Sequence, residues 1–285
     1  MSESMIPATA QWTVVARRQL ALLWESGRVW LLLAACVAPM AFVEAASVQA
    51  RMGHAPDRAM RPAYPLLDVM TFLAIAALVW PLLVWREETW GKREYHWSLP
   101  VQRSAHDLWR VAAGAAWLIV ATAACAALGV TFEHLHGSAP IYTPDGSHAH
   151  FHPGALFWAS FFVGPLIVYG LASILPLAVR KPLEWTAALF GFYLLLAGIA
   201  TTLRWDWLDQ LGNALSLFVE HTFGLRTALA GGAWTEWLQF LSALEVQRID
   251  FGPFSRFRTP TWLVSAALWL GLSIAGVVLA TLRRR

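Results

Sequence analysis

The sequence predicts an all-α integral membrane protein: six transmembrane helices preceded by an amphipathic interfacial helix, with both termini cytoplasmic. Three observations carry that expectation. Of the 285 residues, 58% are hydrophobic and only 14% charged, whereas soluble domains carry about a quarter charged residues. Six segments reach the roughly twenty mainly apolar residues needed to cross a bilayer as a helix. The seventeen tryptophans suit a chain with two membrane–water interfaces, where indole rings settle. A net charge of +3 without any basic tract gives no handle for nucleic acid.

The elements follow in order. Residues Gln11–Ser26 give a helical wheel with Trp12, Ala16, Leu20, Leu23 and Trp24 on one arc and Arg17, Arg18 and Glu25 opposite. That is the pattern of a helix lying in the membrane interface; the competing reading is a helix packed on other helices. The spans are expected at about 29–47, 66–85, 111–132, 155–179, 183–203 and 262–282. The first begins late, after a long polar lead, and Glu44 interrupts it, which predicts a retained span rather than a cleaved leader. Asp68 lies in the second span and Glu184 starts the fifth, all three acids sitting near helix ends where water is close. Cys36 and Cys125 fall inside apolar runs and read as packing residues. Pro39, Pro81, Pro165 and Pro176 fall within spans, where neighbouring groups can satisfy the freed carbonyls.

Lys and Arg set the orientation. Arg17 and Arg18 precede the first span, five cations lie between Arg86 and Arg110, Arg180-Lys181 fill the turn before the fifth span, and Arg283-Arg284-Arg285 end the chain. With six spans all of these fall on one side. The His134–Pro153 loop has no Lys or Arg, and Arg51, Arg58 and Arg61 are a mild exception on the outer side. The outer 204–261 stretch, rich in Trp and Leu, holds apolar runs too short to span, such as Ala214–Val219 and Trp237–Leu244, and the pair Gly231-Gly232, read as flexible. It is expected to form re-entrant helices or helices on the outer leaflet. The 1–285 chain is a single membrane domain with no repeat and no linker to a soluble one.

Chemistry concentrates in two places. His134, His136, His148, His150 and His152 crowd the loop after the third span. Neutral imidazoles bind Zn²⁺ or Cu²⁺, and alternate positions share a face if the segment is extended, which makes His148, His150 and His152 the metal candidates. A mobile Gly- and Pro-rich loop is the competing reading. The second place is the segment from Arg86 to Arg110, where nine charges separate two apolar runs. It reads as charged helix, break, charged helix. Trp97-Ser98-Leu99-Pro100-Val101 forms a compact apolar tip at the break, because the residue before proline resists helix. Charges around a small apolar tip suit docking into a groove on another protein.

The order REETWGKREYHWSLPVQRSAHDLWR resembles the first cytoplasmic loop of type-2 ABC transporter permeases, in which an acidic pair and a Gly lead to a Leu-Pro-Val-x-Arg-like segment and then a helix. The matching residues are Glu87, Glu88, Gly91, Ser98, Leu99, Pro100, Val101 and Arg103, with Trp97 beside them. The order Thr89-Trp90-Gly91 departs from the usual Gly-Thr arrangement, leaving open which acid matters. The resemblance implies that this loop is a coupling helix seated in a cleft of an ATP-binding subunit. It further implies an inner (plasma) membrane location, a second permease copy or sister permease, surrounding membrane lipids, and transport, in the export direction, rather than catalysis. No G-x-x-x-x-G-K-[ST] phosphate loop occurs in the chain, so ATP and Mg²⁺ would be bound by the partner and this chain would hold no cofactor. Two other readings compete: an ATPase-coupled membrane module without a transported solute, and a membrane enzyme or metal-handling protein built on the outer histidines.

Overall fold

The computed structural model describes residues 13–14, 16–25, 27–28, 65–86, 103–136, 141–142, 148–149, 151–179, 184–188, 191–192, 195–196, 198, 224–243 and 259–283. Five long helices dominate: α1 (Pro65–Arg86), α2 (Arg103–His136), α3 (Ala155–Ala178), α4 (Leu225–Ala243) and α5 (Thr259–Arg283). Two two-residue strands, β1 (Ile141–Tyr142) and β2 (His148–Ala149), pair antiparallel between α2 and α3, with Tyr142 opposite His148. Shorter helical pieces occur at 13–14, 16–25 and 27–28, and between 184 and 198.

Among the described residues, three helical stretches are long and apolar enough to cross a membrane: Ser104–Thr131, Ala155–Ala178 and Thr259–Arg283. They cover the expected third, fourth and sixth spans. The expected second span is helical throughout, but its apolar part is the shorter Val69–Leu82. The first span, Glu44 and Cys36 lie outside the described residues, and the fifth is described only as helical pieces. Along α5, Leu263, Val264, Leu268, Leu272, Ile274 and Leu279 are all exposed. A continuous face of that kind exceeds what soluble monomers leave to water and suits lipid.

The contacts fix the direction of each helix. Leu66–Leu73 of α1 share a cluster with Phe157 and Phe161 of α3, while Ala77, Trp80 and Trp85 share another with Tyr169 and Leu177. Gly170 of α3 faces Ser273 and Ile174 faces Gly276 of α5. So α1, α3 and α5 run the same way. In α2, Gly114 abuts Tyr169 whereas Cys125 joins Phe157 and Phe161, so α2 runs opposite. The same holds for α4, because Glu236 meets Gly154, Gly232 meets Ser160, and Leu229 meets Gly164. Cys125 is buried among core side chains.

Helix α4 corrects one expectation. Gly231-Gly232 is not a flexible break; both residues are buried inside a helix. A Cβ on Gly232 would collide with Ser160 Oγ, and one on Gly164 would stand 2.5 Å from the Leu229 carbonyl oxygen. These glycines let two backbones touch, as small residues do wherever helices pack in lipid. Ser160 Oγ also accepts a hydrogen bond from the Ala233 N–H at 3.1 Å. Hydroxyls elsewhere are satisfied within their own helices: Thr122 donates to Leu118 O, Ser173 to Tyr169 O and Thr235 to Gly231 O, the usual arrangement for Ser and Thr in apolar helices.

The start of α3 is capped from outside. Its Gly154 has no side chain to offer, and the Glu236 carboxylate of α4 accepts from Gly154 N at 2.7 Å and Leu156 N at 2.8 Å. A negative group is favoured there by the helix dipole and by two otherwise unpaired N–H groups. A Cβ at 154 would sit 2.7 Å from Glu236 Oε1, so a larger residue there would displace the capping carboxylate. Around this cap, Phe151, Phe157, Phe161 and Phe240 form an aromatic cluster, Phe151 edge-on to Phe157 and Phe157 stacked with Phe161.

Replacing Gly164 by alanine is expected to lower stability by about 1–3 kcal/mol, because a backbone carbonyl cannot step aside. Gly271→Ala, where nothing lies within 4 Å of the added carbon, should be neutral or raise stability by up to about 1 kcal/mol through helix propensity. Thermal midpoints of the purified chain in detergent separate the two; equal midpoints would contradict the close-approach account.

Candidate functional site

The end of the bundle that carries residues 86 and 103 is built around the base of the 87–102 segment. α1 delivers Trp85 in its last turn, and α2 delivers Arg110 in its second turn. The Arg110 guanidinium stands 4.7 Å from the Trp85 ring centroid, a cation–π distance. One turn earlier on α2, Asp107 is only 6% exposed, with its Oδ1 3.8 Å from His106 Nδ1. Tyr169 of α3 reaches across and donates its hydroxyl to Val111 O at 3.0 Å. Gly114, one turn further along α2, makes room for the Tyr169 ring. The two helices that emit the segment are therefore tied to each other and to α3.

The N-terminal helical residues pack on this same base. The Gln19 side-chain amide is hydrogen-bonded to His106 Nε2, and the other ring nitrogen, Nδ1, faces Asp107. Trp117 Nε1 donates to Leu20 O at 3.0 Å, and the Trp24 and Trp117 rings lie 4.6 Å apart. Leu23 enters the core cluster with Trp80, Leu118, Val277 and Ala280, and Gly27 rests against the Trp80 indole. That cluster also brings the C-terminal turns of α5 to this end. The described residues between 16 and 28 thus pack on other helices along one side. The buried arc is Gln19, Leu23 and Gly27, whereas Trp24 of the expected apolar arc is 42% exposed and Arg17 and Arg18 are exposed as expected. Trp12 lies outside the described residues.

Of the residues singled out in sequence, Glu87, Glu88, Gly91, Trp97, Ser98, Leu99, Pro100 and Val101 lie outside the described residues, and Arg103 is the first residue of α2. The second charged helix expected in the 86–110 segment is the first part of α2, continuous with its apolar stretch. Among the histidines, His148 belongs to β2 and His150 lies outside the described residues, while His134 and His152 are exposed. Among the described residues no group of three or more His, Cys, Asp or Glu is placed to hold a metal ion. Glu184 is exposed at the start of a helical piece.

Sequence reasoning passed over Gln19, Trp85, Asp107, Arg110, Tyr169 and Glu236. Asp107 carried a legible signal: it is in phase with the buried stripe Gly114, Leu118, Ala121 and Cys125 of α2, and a charge in phase with a buried stripe needs partners. Arg226 was missed too. Extending the pairing of Leu229 with Gly164 puts this half-buried arginine near the middle of α3.

No family model, curated protein or solved structure matches this chain.

A double-mutant cycle on Arg110→Met and Trp85→Leu is expected to give a coupling of about 0.5–2 kcal/mol, read from thermal or denaturant unfolding in detergent. Additive effects would remove the cation–π tie from the base.

Proposed function

We propose that this chain is the permease subunit of a type-2 ABC transporter, exporting a substrate across the inner membrane with ATP hydrolysed by separate subunits docked on the 86–110 loop. The observation that carries the reading is the base just described. The charged 87–102 segment joins two helices, α1 and α2, that are tied to each other by Arg110 on Trp85, and α2 is tied in turn to α3 by Tyr169 on Val111. A lever must be rigid at its root to move helices when its tip is pushed, and closed packing transmits such shifts as whole-bundle movements. ATP-driven closure of two docked ATPase subunits would supply the push.

The helix directions support the six-span topology. With α1, α2, α3 and α5 as the second, third, fourth and sixth spans, the even spans should be parallel and the third opposed, and they are. The chain must then return between Val179 and Thr259, which a fifth span at 183–203 accomplishes. In that frame the loop end is cytoplasmic, as are both termini, and α4 is a re-entrant helix rising from mid-membrane to the outer surface. Arg226 then lies at membrane depth, where a cation is costly and usually tied to function, so it is the first position to examine for contact with cargo. One six-helix half seldom encloses a pathway, so a second copy or a sister permease completes the transporter.

The test is a gentle-detergent purification with the full chain as bait. An ATP-hydrolysing subunit carrying a phosphate-binding loop should copurify with the native chain and be lost with Leu99→Asp or Arg103→Glu, while the thermal midpoint of the bait stays unchanged. Failure of any such subunit to appear across several detergents, or its retention by both variants, would overturn the docking role.

A further inference from the structure

We propose that the N-terminal helix is a sensor of anionic phospholipid, its outer face holding lipid headgroups and its inner face passing their presence to the base of the 87–102 segment. The inference rests on reading that end of the bundle as lying at the cytoplasmic membrane surface. Its chemistry stands on the exposed side of residues 16–28. With Gln19, Leu23 and Gly27 turned into the bundle, Arg17, Ala21, Trp24 and Arg28 follow at spacings of four, three and four along one exposed flank, the repeat that keeps positions on one side of a helix. Arg18 is exposed beside them, and Val14 and Leu22 add exposed apolar groups. Glu25 is the one exposed acid on the described part of this helix, so three guanidiniums face outward against one carboxylate. Exposed Arg283 closes α5 at the same end.

That combination matches a lipid surface better than an acidic protein groove. A guanidinium forks onto phosphate through two parallel N–H donors. Indole and aliphatic groups between the arginines prefer the headgroup–acyl boundary. Basic positions next to the cytoplasmic leaflet gain from its anionic lipids.

The inner face supplies the transmission. Gln19 bonds His106 and Leu20 O accepts from Trp117, while Trp24, itself part of the exposed flank, packs at a tilt against the same Trp117 ring. A headgroup that immobilises Arg17, Trp24 and Arg28 therefore also stiffens the first turns of α2, from Arg103 to Arg110. Zwitterionic lipid, lacking net negative charge, leaves the helix freer to separate from α2.

Hydrogen–deuterium exchange tests this on the full chain in lipid nanodiscs, without any ATPase, so its outcome is separable from that of the docking experiment. Discs of phosphatidylcholine are compared with discs of an equal mixture of phosphatidylcholine and phosphatidylglycerol. In the mixture, exchange over 13–28 and over 103–112 is expected to slow by about fivefold or more, the effect of one arginine at an anionic surface. High salt should erase that difference in the native chain, and Arg17→Gln with Arg18→Gln and Arg28→Gln should erase it at low salt, exchange in α3 staying native. Gln19→Ala should keep the protection over 13–28 and lose it over 103–112. Equal exchange in the two lipids, or a lipid effect that survives both salt and the triple substitution, overturns lipid sensing. Protection of both segments in Gln19→Ala overturns the route to α2.

Discussion

Lipid tails are as apolar as leucine, so helices immersed in them gain little by hiding hydrophobic surface and are held by close van der Waals contact and interhelical hydrogen bonds. In this chain that constraint falls on α3. It touches α1, α2, α4 and α5, and at each of three of those faces a glycine permits the approach: Gly164 and Gly232 toward α4, Gly170 and Gly276 toward α5, Gly114 toward α2. A Cβ at Gly164 or Gly232 would meet a backbone carbonyl, and at the others a side chain of the facing helix that would have to shift. The helix directions and the separation into two core clusters follow from how the other helices lie along α3.

The two ends of that central helix are finished differently. At its start, Glu236 satisfies two N–H groups that no residue of α3 could satisfy, and phenylalanines fill the space around the cap. At the other end the polar groups link elements rather than sealing them: Tyr169 to α2, Arg110 to α1, Gln19 from the N-terminal helix to His106. Polar networks of this kind hold a unique geometry and carry displacement between elements. The asymmetry fits a protein in which force enters at one end.

Much of the helical framework was legible in the sequence because uninterrupted apolar runs at 111–132, 155–179 and 262–282 leave few alternatives to a long helix. Helix α4 was not. Its nineteen residues hold Arg226, Glu236 and the Gly231-Gly232 pair, so neither apolar length nor propensity marks it; tertiary contact with α3 makes it a helix. The glycine pair was misread because glycine serves both flexibility and close approach, and only the neighbouring backbone distinguishes them. The amphipathic N-terminal helix was recognisable, and Leu23 of its apolar arc is buried, but Gln19 was not expected inside: it is there because His106 answers its amide, and Trp24 is half outside while Trp117 covers one face. The base of the 87–102 segment was legible only through Asp107, since Trp85 and Tyr169 look like any interfacial aromatics until they are brought together.

Cysteine accessibility decides most directly which compartment each end of α3 faces. With Cys36 and Cys125 replaced by alanine, a single cysteine at Ser98 or at exposed His152 is challenged with a membrane-impermeant maleimide in intact cells and in inverted vesicles. Labelling of Ser98→Cys only in inverted vesicles, and of His152→Cys only in intact cells, is the predicted result. Labelling of both from the same side, or with the sides exchanged, would contradict a cytoplasmic coupling end and the permease reading built on it.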